Sequence, residues 1–446
     1  MGLAADYARS LLADLGADPG LLANPDSHHP AIAWASSGAM ALTGRPDQPP
    51  RMCPAPLAAC ADGVLMALAS LADRPLPADL VGSRLLGERA AIAGYGRKGS
   101  ISPGGSCRFL ETGDGWIALN LARGEDWTMV PALVGQDIAQ DWEALAEAIR
   151  ALDTNALRVQ GRELGLAIAQ HRAPNTPKAW FEVLGTGPAT PSRANAAPLV
   201  VDLSPLWAGP LCGHLLHLLG ARVIKVESTH RPDGARQGPP AFFDLMNAGK
   251  PNVALDFKTR DGREQLRALL ARADIVIEAS RPRALRQLGI AAEALVAEKP
   301  GLTWISITGH GRTGDAANWV AFGDDAAVAA GLSTLVSEPG EPPVFCGDAI
   351  GDPLAGLHAA LVAWQRWRGG AGGLIAIALA DVIGHCIGFD PTLSAANATQ
   401  RSRDWQAILD QSGIAAFPPR ARVAGQPARP LGADTAATLA ELGIRC

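Results

Sequence analysis

The sequence predicts an α/β protein: a large domain built on a Rossmann-like, doubly wound parallel sheet, preceded by a smaller α/β domain. Three observations carry this. From Pro198 onward, short aliphatic runs alternate with helical patterns, as in PLVVDL (198–203), GPLCGHLLHLLG (209–220) and RVIKVE (222–227). Such runs, separated by helices, are the pattern of parallel strands buried on both faces. A chain of 446 residues also exceeds one ordinary core, so two domains are expected. Finally, GTGPATPSRANAA (185–197) concentrates turn formers and small residues and reads as a linker.

In chain order, residues 1–75 read as helices joined by proline-rich loops. The opening MGLAADYARSLLADLGADPG carries a charge every few residues, which marks an amphipathic helix and not a signal peptide. Residues 76–184 form the small α/β domain. It has a strand at Trp116–Leu121 after the turn Thr112–Gly115, then helical patterns near 126–151 and 154–169. Residues 198–395 form the large domain. Its later strands are expected at 252–257, 275–278 and 302–308, with helices at 261–273 and near 284–288. Residues 396–446 form a tail that packs back on it. In open sheets of this kind, ligands bind at the carboxyl ends of the strands.

Composition excludes several function classes. A net charge of −5 gives a nucleic-acid role no electrostatic support. Seven cysteines, among them Cys446, form no C-x-x-C pair, which argues against a disulfide framework or zinc site and for a reducing, cytoplasmic compartment. The apolar stretch Gly372–Phe389 is interrupted by Asp381 and His385, so no membrane span is expected. His28-His29 and the helical pair His214 and His217 do not make a metal-ligand set, and no metal is expected. Two G-x-G-x-x-G strings occur, Gly94–Gly99 and Gly309–Gly314. The first follows no strand and the second opens no clean helix, so NAD is not expected either.

The chain contains an internal repeat. Residues 38–68 align without a gap on residues 331–361, a constant offset of 293. Gly38, Leu42, Cys53, Gly63 and Leu68 recur as Gly331, Leu335, Cys346, Gly356 and Leu361, together with three prolines and an alanine. Asp352 of the second copy faces Ala59 of the first. If the segment carries a catalytic carboxylate, only the second copy keeps it.

Five segments stand in an order that resembles the class III CoA-transferase family. They are VVDLSPLWAGPLCGHLLHLLGARVIKVE (200–227), MNAGKPNVALDFKTRDGREQL (246–266), ADIVIEASRPRALRQLG (273–289), ISITGHGRTG (305–314) and GDPLAGLHAAL (351–361). Residues 99–170 are similar to the family's small domain and 427–444 to its ending, so the chain reads as a rearranged fusion whose residues 1–75 are a vestige of a large domain. The resemblance implies transfer of CoA from an acyl-CoA to a small carboxylic acid, with Asp352 as the nucleophile. Coenzyme A, as acyl-CoA substrate, is the only cofactor implied. An aspartate is ionised at neutral pH without an activating base, and holding it beside a thioester makes its attack intramolecular. Gly351, and Gly104-Gly105 of the small domain, are candidate backbone donors to the tetrahedral intermediates.

Leu206, Trp207, Ala208, Leu255 and Lys258 match CoA-contacting positions of the family. Lys225, Lys258, Arg281, Arg283 and Arg286 lie at or just past predicted strand ends, where phosphates would bind. The helix start at Ala208–Gly209 adds free N–H groups. The chain departs from the formyl-CoA transferase pattern at Ser228, Ala279 and Gln287, which stand where Arg, Asn and Arg occur, and this leaves the pose of CoA open. Racemases of the same family exchange an α-proton and need a histidine ahead of the catalytic segment. Here AFGDDAAVAAG (321–331) offers Phe322 or Asp324 instead, which favours transfer. A catalytically silent CoA-binding protein is the third reading. Family members are interlocked homodimers, so this chain is expected either to dimerise or to supply both halves of a site itself.

Overall fold

The computed structural model describes residues 2–22, 28–175, 179–192 and 196–445, so Cys446 and residues 193–195 of the predicted linker lie outside it. Among the described residues, ten strands form two sheets. β1 (Cys107–Glu111), β2 (Trp116–Asn120) and β3 (Ala167–Gln170) make a small antiparallel sheet in that order. The other seven are β4 (Glu182–Gly185), β5 (Leu199–Asp202), β6 (Arg222–Ser228), β7 (Asn252–Leu255), β8 (Ile275–Glu278), β9 (Thr303–Thr308) and β10 (Gly373–Ala378). Their spatial order is β4-β10-β9-β8-β5-β6-β7, with every neighbour parallel except the edge strand β4.

The mixed α/β architecture with a mostly parallel sheet is the one the alternating pattern predicts. The chain runs outward from β5 through β6 to β7. It then returns to the other side of β5 and continues β8, β9, β10. The order therefore reverses between β5 and β8, and the crevice beyond their carboxyl ends is where such sheets bind ligands. Central residues such as Val200, Val201, Ile275, Val276 and Ile277 are sealed on both faces. One face packs on the helices Ala208–Leu218 and Gly351–Arg368, the other on Arg260–Arg272 and Ala292–Glu298.

Two expected helices are shorter than the sequence suggests. The pattern over 154–169 ends as a helix at Glu163, because Gly165 turns left-handed (φ 77°). Residues 167–170 then pair with β2 as β3. The pattern over 126–151 breaks at Gly135 (φ 73°), leaving Val130–Val134 and Trp142–Ile149. The described residues before and at the start of the predicted linker are docked: Glu182–Gly185 pairs with β10, the Gly301 amide donates to the Pro188 carbonyl, and the Thr190 amide donates to the Gly370 carbonyl. At the opposite edge, the C-terminal helix Thr435–Glu441 and its approach cover β7. The Asn252 and Ala254 amides donate to Asp434 (2.9 Å) and Thr435 (3.0 Å), which satisfies an otherwise open strand edge.

Candidate active site

The site is built around the turn that precedes the helix Gly351–Arg368. Ala349 adopts a left-handed conformation (φ 42°), uncommon for a residue with a Cβ. Its amide donates to the Asp324 carboxylate at 2.8 Å, which holds the strained turn in place. The next turn of chain puts Asp352 at the second residue of the helix, its amide bonded to the Ala349 carbonyl.

The backbone N–H groups of Gly323 and Ala208 lie near the Asp352 carboxylate and favour its charged form. Gly323 begins the helix Gly323–Ala329, and Ala208 begins Ala208–Leu218. With its own helix, three helix N-termini converge on one carboxylate. Free N–H groups and aligned dipoles at those ends favour negative charge. A Cβ on Gly323 would lie 2.3 Å from an Asp352 oxygen, so only glycine permits this approach.

Three further aspartates surround Asp352. Asp348 is fully buried and is held by a bidentate guanidinium, with Arg89 Nε to Oδ2 at 2.8 Å and the other contact at 2.5 Å. Asp324 and Asp325 are buried as well. Asp325 accepts from Asn120 of β2 (3.1 Å) and from the Phe322 amide (2.9 Å). Burial raises the carboxyls of Asp324 and Asp325 to about 7, and the neighbouring Asp348 charge adds to the effect at Asp324. Burial also raises Asp352 to about 6, opposed by the Arg89 charge and by its two backbone donors. Asp352 is half-buried, whereas the other three are buried.

The predicted residues fall into groups. Gly351 is buried under Ile383 and Gly323, beside the nucleophile position. Gly104 faces Arg89 and Asp348: a Cβ there would lie 3.3 Å from the guanidinium and 3.9 Å from the carboxylate. Gly105, left-handed at φ 87°, shapes the same loop. Leu206 is left-handed (φ 69°), with its amide on Asp233 at 2.9 Å. Lys225 is buried and bonded to Asp233 (2.9 Å) and the Ser204 carbonyl. It therefore fixes the Ser204–Leu206 loop and does not face solvent as a phosphate ligand would. Trp207 is buried with its ring under Arg89, and Leu255 is buried in β7. Lys258 is exposed just beyond that strand. Arg286 is ion-paired with Glu293 (2.9 Å).

Arg281 and Arg283 have no carboxylate partner among the described residues. Burial, and then the charges of Arg283, Arg123 and Arg231, lower the Arg281 guanidinium. Arg281 is thus crowded by like charge near the switch point, although Arg123 itself is paired with Asp126 (2.5 Å), and an entering polyanion would relieve the repulsion at Arg281. Sequence reasoning missed Arg123 and Arg231, and also Arg89, Asp348 and Arg162. Arg162 stacks 3.9 Å over the Trp319 ring and is lowered to about 10 by burial and by Arg158 and Arg172. A signal was available only for Asp348, four residues ahead of Asp352 in Gly-Asp-x-x-Gly-Asp. Arg89 and the other first-half residues reach the site only through the tertiary fold. A separate cavity of about 570 Å³, lined by Asp14, Trp180, Phe181, His385 and Phe389, shares no residue with this cluster.

Residues 198–418 match the model of CoA-transferase family III. This part of the chain belongs to that family. Among curated relatives, succinyl-CoA–D-citramalate CoA-transferase of Chloroflexus aurantiacus is 34% identical over 191 residues, covering 40% of this chain and 48% of that protein. Succinate–glutarate CoA-transferase of Agrobacterium fabrum is 33% identical over 202 residues, covering 41% and 50%. The chain thus spans about half the length of the curated relatives it matches. A solved CAIB/BAIF family protein from Brucella suis overlaps 56% of this chain and 100% of its own, with 24% identity and a TM-score of 0.44.

Proposed function

We propose that the protein moves CoA between an acyl-CoA thioester and a free carboxylic acid through a covalent intermediate on Asp352. The observation that carries this is the contrast within the cluster: four aspartates are gathered, three are buried, and the half-buried one, Asp352, has the backbone N–H groups of Gly323 and Ala208 favouring its charged form. Raised to about 6, Asp352 is still mostly ionised at neutral pH, while partial desolvation makes it a better nucleophile than a hydrated carboxylate.

The steps balance without moving a proton. An Asp352 oxygen attacks the acyl carbonyl, the C–S bond breaks, and CoA leaves as thiolate from the resulting mixed anhydride. The thiolate attacks the aspartyl carbonyl and releases the donor acid as carboxylate, leaving an aspartyl-CoA thioester. The acceptor carboxylate attacks that thioester, again expelling thiolate. The thiolate then takes the acceptor acyl group and frees Asp352. During attack on the aspartyl carbonyl, the oxyanion forms on the atom that faces the Gly323 and Ala208 N–H groups, which are pre-oriented for it. The CoA phosphates would meet Arg231, Arg281 and Arg283 beyond β6 and β8, with Arg123 held beside them by Asp126. Gly104 is exposed near Asp348, whereas Gly351 is buried beside Asp352.

Proton exchange at an α-carbon is disfavoured by Asp324. Phe322 or Asp324 fills the position ahead of the catalytic segment, neither is a histidine, and Asp324 is buried and accepts from the Ala349 amide. A cytoplasmic setting accords with the free, buried thiols of the described cysteines, and no described helix is long and apolar enough to cross a membrane.

The test is to mix the protein with a panel of acyl-CoAs, succinyl-CoA first, quench with hydroxylamine and map the product by peptide mass spectrometry. An aspartyl hydroxamate at Asp352, absent from Asp352→Ala, is expected. No adduct, with deuterium incorporated at the acyl α-carbon in D₂O, points to the racemase reading. Binding of CoA with neither signal points to a silent binding protein.

A further inference from the structure

The internal repeat continues well beyond the aligned segment. The helix Pro30–Ser36 stands at the same offset from Gly323–Ala329, and Leu57–Ser70 matches the start of Gly351–Arg368. The helix Leu3–Asp14 packs on Leu57–Ser70 as Ala208–Leu218 packs on Gly351–Arg368. A Cβ on Gly63 would stand 2.5 Å from the Ala4 carbonyl oxygen and 3.1 Å from the Tyr7 Cβ. A Cβ on its counterpart Gly356 would stand 2.6 Å from the Ala208 carbonyl oxygen and 3.1 Å from the Leu211 Cβ.

Each copy also packs against the opposite half of the chain. A Cβ on Gly38 of the first (φ 85°) would stand 2.5 Å from the Cα of Pro419, and a Cβ on Gly331 of the second (φ 87°) would stand 2.4 Å from the Cα of Pro174. The equivalent cysteines Cys53 and Cys346 are neighbours, and Cys53 helps to hold the Cys346 thiol above its ordinary value. A residue beside its own counterpart, with equivalent glycines each packed against the opposite half, is what a two-fold interface provides. Here that interface lies inside one chain.

The two sites of this internal pair are not equal. Where the second copy has Asp324, Asp348 and Asp352, the first has Ala31, Ala55 and Ala59, all buried. Pro30 replaces Gly323, so the amide donor is gone too. The surviving site takes residues from across the interface. Arg89 clamps Asp348, Gly104 faces both, and Arg123 joins the cationic cluster beyond β8.

We propose that the chain is its own dimer, carrying one live site per chain, in which the first copy is retained to complete the second copy's site. Arg89 acts in cis as a positioning residue, fixing Asp348 and the turn that carries Asp352. This rests on the proposed transfer activity for its kinetic arm but not for its binding arm.

The first test is calorimetric titration of the wild-type chain with free CoA, which needs no turnover. One CoA per chain is expected; two per chain, or one per two chains, overturns the proposal. The second is complementation, in which Asp352→Ala and Arg89→Met chains are co-expressed and co-purified through different tags. If Arg89 served a neighbouring chain, the mixed particle would contain one intact site and regain activity. In cis it regains none, and recovery therefore overturns the proposal.

Arg89 faces Asp324, Asp348 and Asp352, with the Tyr95 and Trp207 rings on either side. Removing its charge in a folded Arg89→Met chain is expected to move the acid limb of kcat/KM upward, and Arg89→Lys to bring it back. A purely structural Arg89 would lower the amount of active enzyme and leave the limb in place. If Arg89→Met does not fold, the titration decides alone. If no acyl-CoA turns over, the activity reading fails while the titration still reports on the fusion.

Discussion

The helices Leu57–Ser70 and Gly351–Arg368 occupy equivalent places in the two copies, and comparing them separates what the fold needs from what the chemistry needs. Gly63 and Gly356 are both kept, because each takes a carbonyl at 2.5–2.6 Å from where a Cβ would stand. The carboxylates are kept in only one copy. A buried carboxylate without compensating donors costs several kcal/mol, so a site with no reaction to perform is stabilised by losing them. The live copy bears that burden around Asp352 with Arg89 and three helix N-termini.

The largest expected effect comes from removing the reacting oxygen. Asp352→Asn is close to isosteric and keeps an oxygen near the Gly323 and Ala208 N–H groups. Transfer should fall by a factor on the order of 10⁴ or more, the scale set by losing an intramolecular nucleophile, with thermal stability unchanged or raised. A turnover assay beside a thermal melt checks this, and residual activity within tenfold of wild type would remove Asp352 from the chemistry.

The converse change sharpens the comparison. Ala59→Asp returns a carboxylate to the silent copy, where Pro30 supplies no amide and Ala55 and Ala31 replace the other acids. The chain should lose about 3 kcal/mol at neutral pH and gain no second labelling site. A buried acid of this kind has its folded pKa raised, so the destabilisation should be larger at pH 8 than at pH 5. Urea unfolding at both values would show it. A stable Ala59→Asp chain that forms a hydroxamate at the substituted position would mean that the first site is dormant and not dismantled.

Much of this was legible before the fold was known, and the reasons are physical. The strands β5, β6, β8 and β9 are apolar runs that only a buried parallel sheet accommodates, and Asp352 follows from its neighbours in sequence. β3 was not legible, because LGLAIAQ satisfies helical and extended patterns alike until Gly165 turns left-handed and β2 offers a partner. Lys225 looked like a phosphate ligand because it ends a strand. Its partner Asp233 lies in a loop whose path no periodicity fixes. Arg89 is 259 residues from Asp348, and nothing local to either announces the pair. The repeat was visible over residues 38–68, but the match of Leu3–Asp14 to Ala208–Leu218 rests on backbone contacts and not on side-chain identity.

The live cluster also predicts that activity and stability diverge with pH. Asp352 must be ionised to attack, so kcat/KM should fall as pH drops through about 6. Stability runs the other way. The folded pKa values of Asp324, Asp325 and Asp352 are raised to about 7, 7 and 6, so these groups favour the folded state most at low pH, and that contribution is lost as pH rises through 6–7. Urea midpoints between pH 5 and 8 should decline while turnover climbs, and Asp324→Asn should flatten the decline and leave the acid limb of turnover visible.

The smallest effect distinguishes two arginines only five residues apart. Arg281 is without a carboxylate partner among the described residues and is crowded by Arg123, Arg231 and Arg283, whereas Arg286 already holds Glu293. An incoming phosphate relieves repulsion at the first and competes with an existing ion pair at the second. Arg281→Ala should therefore raise the KM for acyl-CoA about tenfold at low salt, the value of one charge-assisted hydrogen bond, with kcat little changed. Arg286→Ala should shift it less than twofold. Raising ionic strength should weaken binding in the wild type more than in Arg281→Ala, because one screened contact has already been removed. Equal effects from the two variants would move the phosphates away from the crevice between β5 and β8, toward the open surface beyond Arg286.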